Sequence, residues 1–200
     1  MDIGIIGTGS VGSALARGFS SAGHSVVVGS RDPETASPDL RDHAGNVSVA
    51  SQEAAADHGD VVVLALPAGA IVDVAAALAD RLTGKTVVDT ANEFPRPSGD
   101  GPLAARVAEA VPAASVVKAF NTIGAERMTD PVIDGEAATM FVAGEQTEAV
   151  ERLAADLGFD VTVTGALSTA GHLEDLARFW IRLSQSKGRT IGFRFLDSTV

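Results

Sequence analysis

The chain has 200 residues, 46% of them hydrophobic, enough to bury a core of ordinary size. It contains neither cysteine nor tyrosine. That excludes disulfides, thiolate zinc sites and a cysteine nucleophile, and also the tyrosine–lysine acid/base pair of short-chain dehydrogenases. A net charge of −11 argues against nucleic acid as a partner.

In chain order, an apolar run at 3–6 leads into Gly7, Thr8, Gly9, Ser10, Val11 and Gly12, and a helical pattern follows over 10–22. This is G-x-G-x-x-G between a strand and a helix. In a dinucleotide fold the first glycine permits the tight turn and the second lets the backbone approach the pyrophosphate. The third lets helix and strand pack closely. A second strand over 25–29 completes a βαβ unit. Residues 31–46 read as a polar loop or irregular helix holding two prolines.

A short strand at 47–50, a helix at 52–58 and a fully apolar strand at 60–66 follow, the last ending at Pro67. Residues 61–79 form the longest apolar stretch, but Pro67, Gly69 and Asp73 interrupt it, so it reads as strand then helix and no membrane span is expected. A helix over 70–81, a strand over 85–89, a loop over 92–102, a helix over 103–111 and a strand over 115–120 come next. Beyond them lie a strand at 138–142, a helix at 146–157, a strand at 160–164 and a last helix at 172–186. In the closing segment, 189–196, the apolar residues Ile191, Phe193 and Phe195 occupy alternate positions.

Interleaved strands and helices predict an α/β fold: one doubly wound, mostly parallel sheet of the Rossmann type with a C-terminal helix and tail, spanning 1–200 as one domain. No basic leader precedes the first strand, so a cytoplasmic protein is expected. Only one helix and a tail remain after the last strand. A second substrate is therefore expected in the crevice at the carboxyl ends of the strands, and an imino- or hydroxy-acid reductase with a large helical substrate domain is disfavoured.

The end of the second strand selects the dinucleotide. An acidic residue there would bind the ribose 2′-hydroxyl; this chain has Ser30 and Arg31, a hydroxyl and a guanidinium fork suited to a phosphate monoester. NADP is expected, with Thr8 as a further hydroxyl and Asp32 facing solvent. His24, His43 and His58 read as structural, and no histidine–carboxylate spacing suggests a metal. His172 opens the last predicted helix, either facing solvent or meeting the second substrate. Lys118 reads as solvated or as a contact for an anionic cofactor tail. Phe179 and Trp180 read as core or dimer contacts. The apolar alternation of the tail suggests docking as a strand or against a partner, making a homodimer plausible.

The glycine turn at 7–12, the Ser30-Arg31 pair, VKAFNT at 117–122, GHLEDLAR at 171–178 and GFRFL at 192–196 together resemble the NADP-dependent reductases of the deazaflavin coenzyme F420. That fold is also found as the cytosolic domain of eukaryotic metalloreductases. The resemblance implies that residues 7–12 hold the pyrophosphate region, Ser30 and Arg31 the 2′-phosphate, and Leu66 and Pro67 the nicotinamide ribose. It also implies that Asn121, Thr122, Ile123 and Gly124 form a floor under two stacked rings, between which hydride passes directly. The chain departs from the family pattern at Thr35, where a basic residue is common, and at His172, where proline is common. Direct transfer requires positioning rather than a catalytic side chain. The alternatives are a flavin or metal reductase using FAD or FMN, and a non-catalytic NADP-binding sensor.

Overall fold

The computed structural model describes residues 1–35, 40 and 46–197; His43 lies outside them, as does most of the 31–46 segment beyond Thr35. Six parallel strands form the centre of the sheet. They are β1 (Asp2–Ile6), β2 (Ser25–Ser30), β3 (Val47–Ser51), β4 (Val61–Leu64), β5 (Thr86–Asp89) and β6 (Ser115–Lys118). Their spatial order is β3-β2-β1-β4-β5-β6, the doubly wound arrangement, with the reversal of direction between β1 and β4.

The strands are apolar on both faces because helices cover both. Ile3, Ile5, Val61, Val63, Val88 and Val117 join one core, while Ile6, Val62, Leu64, Val87 and Val116 join the other, an alternation that follows the two-residue repeat of a strand. The first core is closed by α1 (Ser10–Ser21) and α6 (Glu148–Asp156). The second is closed by α2 (Gln52–His58), α3 (Ala68–Ala77), α4 (Ala79–Leu82) and α5 (Leu103–Ala110). The last helix, α7, runs Ala170–Lys187.

Several elements differ from the sequence reading. The predicted strand over 60–66 pairs only over Val61–Leu64, which leaves Ala65, Leu66 and Pro67 as a loop at the carboxyl end of the sheet. The predicted helix over 70–81 begins directly after Pro67 and divides at Leu78. β6 stops at Lys118, and Phe120 adopts the left-handed conformation (φ 56°), which ends the strand two residues early. Beyond β6 come a small hairpin, β7 (Val132–Ile133) and β8 (Glu136–Ala137), then β9 (Thr139–Ala143), antiparallel to β6, and β10 (Asp160–Gly165), parallel to β9. The hairpin turns on Asp134 and Gly135 (φ 52° and 86°), an Asp-Gly pair of the kind that marks a two-residue turn.

The tail does not form the suggested strand. It is anchored instead by isolated bonds: Thr139 N–H donates to the Phe193 carbonyl (2.8 Å), Phe195 N–H to Thr139 Oγ1 (2.9 Å), and Trp180 Nε1 to the Ile191 carbonyl (3.0 Å). No helix of the described residues is long and apolar enough to cross a membrane.

Candidate functional site

The three glycines of the opening turn serve different purposes. Gly7 has φ +125°, and a Cβ there would stand 2.2 Å from the Ala65 carbonyl oxygen. A Cβ on Gly12 would stand 2.2 Å from the Gly7 oxygen, so α1 packs against the turn only because that position is bare. Gly9 is neither strained nor crowded: its φ is −73° and a Cβ would meet nothing within 4 Å. The protein itself demands the first and third glycines; the bare second one keeps open space beside the helix end. Gly9 is the N-cap of α1 and supplies no side-chain cap, and no acidic residue lies in the first turn. The leading N–H groups, around Ser10, Val11 and Gly12, therefore lack intrahelical partners and face a site hospitable to an anion.

A cleft of about 500 Å³ opens here at the carboxyl ends of β1, β2 and β4. It gathers Gly7, Thr8, Gly9, Ser30, Arg31, Leu66 and Pro67, seven of the residues expected there, with Asp32, which is exposed as expected but on the cleft lining, and with Gly29, Gln52, Ala65, Ala70 and Val74. Gln52 follows the end of β3, so its place after a carboxyl end was a usable signal. Ala70 and Val74 carry no signal beyond ordinary helical spacing. Ser30 Oγ donates to the Asp32 carbonyl (2.9 Å) and accepts from Asp32 N–H (3.2 Å), which sets the chain direction through Arg31. Among the described residues Arg31 is exposed with neither hydrogen bond nor ion pair, a cation at the mouth of the cleft with its fork open. This donor set fits a phosphorylated dinucleotide: open backbone N–H groups at the middle and an unpaired guanidinium at one end.

Across the glycine turn lies a second cleft, of about 430 Å³, which shares Thr8 and Gly9 with the first and adds Ser10, Ser13, Arg17, Ala125 and Glu126. Asn121, Thr122, Ile123 and Gly124, expected as the acceptor floor, are all buried and line neither cleft; the chain reaches the second cleft at half-buried Ala125 and exposed Glu126. Gly124 is overlaid by the tail, since a Cβ there would stand 2.6 Å from the Arg189 carbonyl oxygen and 3.1 Å from the Trp180 ring. Arg189 Nε donates to Glu126 Oε1 (2.7 Å), and the Arg189 guanidinium lies 5.3 Å from the Trp180 ring centroid. Partial burial pushes the Glu126 carboxyl up, but a backbone hydrogen bond and the Arg189 guanidinium outweigh it and hold its pKa below the usual carboxylate range.

Other candidates fall elsewhere. His172 is exposed in the first turn of α7, which begins at Ala170 rather than at His172 itself. Lys118 is neither solvated nor at the cleft surface: it is fully buried, 2.9 Å from Asp89 and 3.5 Å from Glu174. His24 bonds Asp156 (3.0 Å) and the N-terminal amine (3.2 Å), and His58 bonds Ser25 (3.1 Å), both packing roles. Trp180 is buried, whereas Phe179 is exposed and stacks on Phe193 (centroids 6.1 Å apart).

A family model described as NADP oxidoreductase coenzyme F420-dependent matches residues 2–93. The chain is 30% identical over 223 residues to the F420-dependent NADP reductase of Methanothermobacter thermautotrophicus, covering 98% of this chain and 95% of that protein. It is 33% identical over 180 residues to metalloreductase STEAP3 of Rattus norvegicus; the match covers 86% of this chain and only 35% of that protein. Among solved structures, a candidate F420-dependent NADP reductase from Arthrobacter sp. FB24 superposes with a TM-score of 0.87 at 31% identity, over 98% of this chain and all of that one.

Proposed function

The chain belongs to the family of coenzyme F420-dependent NADP oxidoreductases and is an NADP-dependent oxidoreductase, and on that premise we propose that it moves a hydride directly between NADP(H) and coenzyme F420. The balanced reaction is NADPH + F420 + H⁺ ⇌ NADP⁺ + F420H2, in which the nicotinamide supplies the hydride and the deazaflavin ring accepts it. The observation that carries the nucleotide half is the continuous cleft from unpartnered Arg31 past bare Gly9 to the start of α1. The acceptor half is supported by the near full-length match to a relative named for F420.

In this reading Gly7, Thr8 and Gly9, with the N–H groups of Ser10, Val11 and Gly12, hold the pyrophosphate. Ser30 and Arg31 hold the 2′-phosphate, which NAD lacks. Leu66 and Pro67 flank the ribose beside the nicotinamide. Asn121, Thr122, Ile123 and Gly124 support the acceptor floor, whose exposed end is Glu126, and His172, exposed on α7 and outside both clefts, is the residue left to meet the outer part of the acceptor. No side chain has to move a proton at the reacting carbon, so the residues act by orienting two flat rings and excluding water.

The test is anaerobic turnover with NADPH against F420, FAD and FMN in parallel, with NADH as control. Loss of the deazaflavin absorbance with NADPH and not NADH is the expected result. Turnover confined to FAD or FMN overturns the acceptor assignment. Tight NADPH binding without turnover on any of the three overturns the catalytic reading and leaves a sensor.

A further inference from the structure

We propose that Lys118, held between Asp89 and Glu174, is a positioning residue of the acceptor site, acting through Asn121; the proposal rests on the reading of Asn121 as part of the acceptor floor. The Asn121 side chain is 4% exposed and its amide is oriented without ambiguity. Its Nδ2 donates to the Leu173 carbonyl (3.1 Å) and to Asn92 Oδ1 (3.0 Å). A main-chain carbonyl can only accept, so the nitrogen must face Leu173. Asn92 is oriented by the same logic, because its own Nδ2 donates to the Asn121 carbonyl (2.7 Å). Asn121 is thus held by the segment after β5 and by α7.

The three buried charges tie together those same segments. Asp89 and Lys118 are register partners on β5 and β6, 2.9 Å apart through Oδ2 and Nζ. Asp89 Oδ1 accepts the Ala91 N–H (2.8 Å) and Lys118 Nζ donates to the Ala91 carbonyl, so the residue before Asn92 is gripped from both sides. Glu174, next to Leu173, lies 3.5 Å from Lys118. Its two oxygens accept the N–H groups of Leu103 (3.1 Å) and Ala104 (3.0 Å), capping α5 where Pro102 offers no side-chain cap. One ammonium therefore joins the segment preceding Asn121, the segment bearing Asn92 and the turn of α7 bearing Leu173.

Stability alone is a poor reason for such a cluster. Apolar side chains of similar volume often stabilise a core as well as a buried ion pair or better. Charged groups with directional bonds define one arrangement, and the arrangement here is that of the acceptor floor.

The experiment uses the full chain and its Glu174→Gln variant, with Asp89→Asn as the second variant should the first not fold. Three quantities are measured: NADPH Kd, steady-state KM and kcat with F420, and exchange of the Asn121 side-chain amide protons by NMR. The expected result is a rise of about tenfold in the F420 KM with a smaller change in kcat, NADPH Kd within about twofold, and amide exchange faster by about tenfold. An unchanged KM in a folded variant, a parallel loss of NADPH affinity, or unchanged exchange overturns the proposal. Absence of F420 turnover by the unmodified chain overturns the function reading instead, and the exchange measurement then decides the positioning role by itself.

Discussion

Asp89 and Lys118 face each other across β5 and β6 with both side chains fully buried, so neither charge has water to fall back on. Removing Lys118 leaves two buried carboxylates, Asp89 and Glu174, without their cation. Lys118→Ala is expected to lower unfolding free energy by about 3–5 kcal/mol, whereas the double change Asp89→Leu with Lys118→Met costs less than the single one. Urea denaturation of the two variants decides it; a double variant worse than Lys118→Ala contradicts the argument.

The glycine turn separates folding from binding. Gly12→Ala would place a Cβ 2.2 Å from the Gly7 oxygen and is expected to destabilise the fold by more than about 2 kcal/mol. Gly9→Val meets open space, so its stability should stay within about 1 kcal/mol of the parent while nucleotide binding is lost. Thermal melts and NADPH titration on both variants check this, and normal binding by Gly9→Val would mean that the turn does not hold the nucleotide.

Arg31→Ala is expected to weaken NADPH by roughly tenfold to a hundredfold, the worth of a charge-assisted bond pair, and NADH by little. Calorimetric titration with each nucleotide gives the comparison. Equal losses for both would move Arg31 away from the 2′-phosphate.

Burial pushes the Glu93 carboxyl up, but the Ser98 hydroxyl and the Arg106 guanidinium, 2.6 Å away, outweigh it and hold the pKa below the ordinary value. A carboxyl whose pKa is depressed on folding contributes stability that is present above its unfolded pKa, about 4.3, and that disappears as pH falls through the folded value. Melting temperature should therefore drop on acidification below about pH 5, and the drop should be shallower in Glu93→Gln. Identical acid limbs for the two proteins would remove Glu93 from the account.

Some features of the site are legible from a few neighbouring positions. The glycine turn, the parallel strands and the Ser30-Arg31 pair each follow from a residue type at a fixed offset from a strand end, and the structure gathers them around one cleft. Gln52, directly after β3, obeys the same rule. The acceptor side was less legible: residues 121–124 follow a strand, but only packing reveals that they are buried, with Gly124 closed in by Arg189 and the Trp180 ring.

The sequence by itself determined the βαβ opening, the doubly wound fold class and the place of the glycine turn and Ser30-Arg31 at strand ends, because steric demands at a turn and the two-residue repeat of a strand act within a few positions. Tertiary structure alone decided the role of Lys118. Its carboxylate Asp89 is 29 positions away, and Glu174 caps an amide 71 positions from itself. Whether a lysine faces water or two carboxylates depends on which distant segments the sheet brings beside it, and no local pattern encodes that.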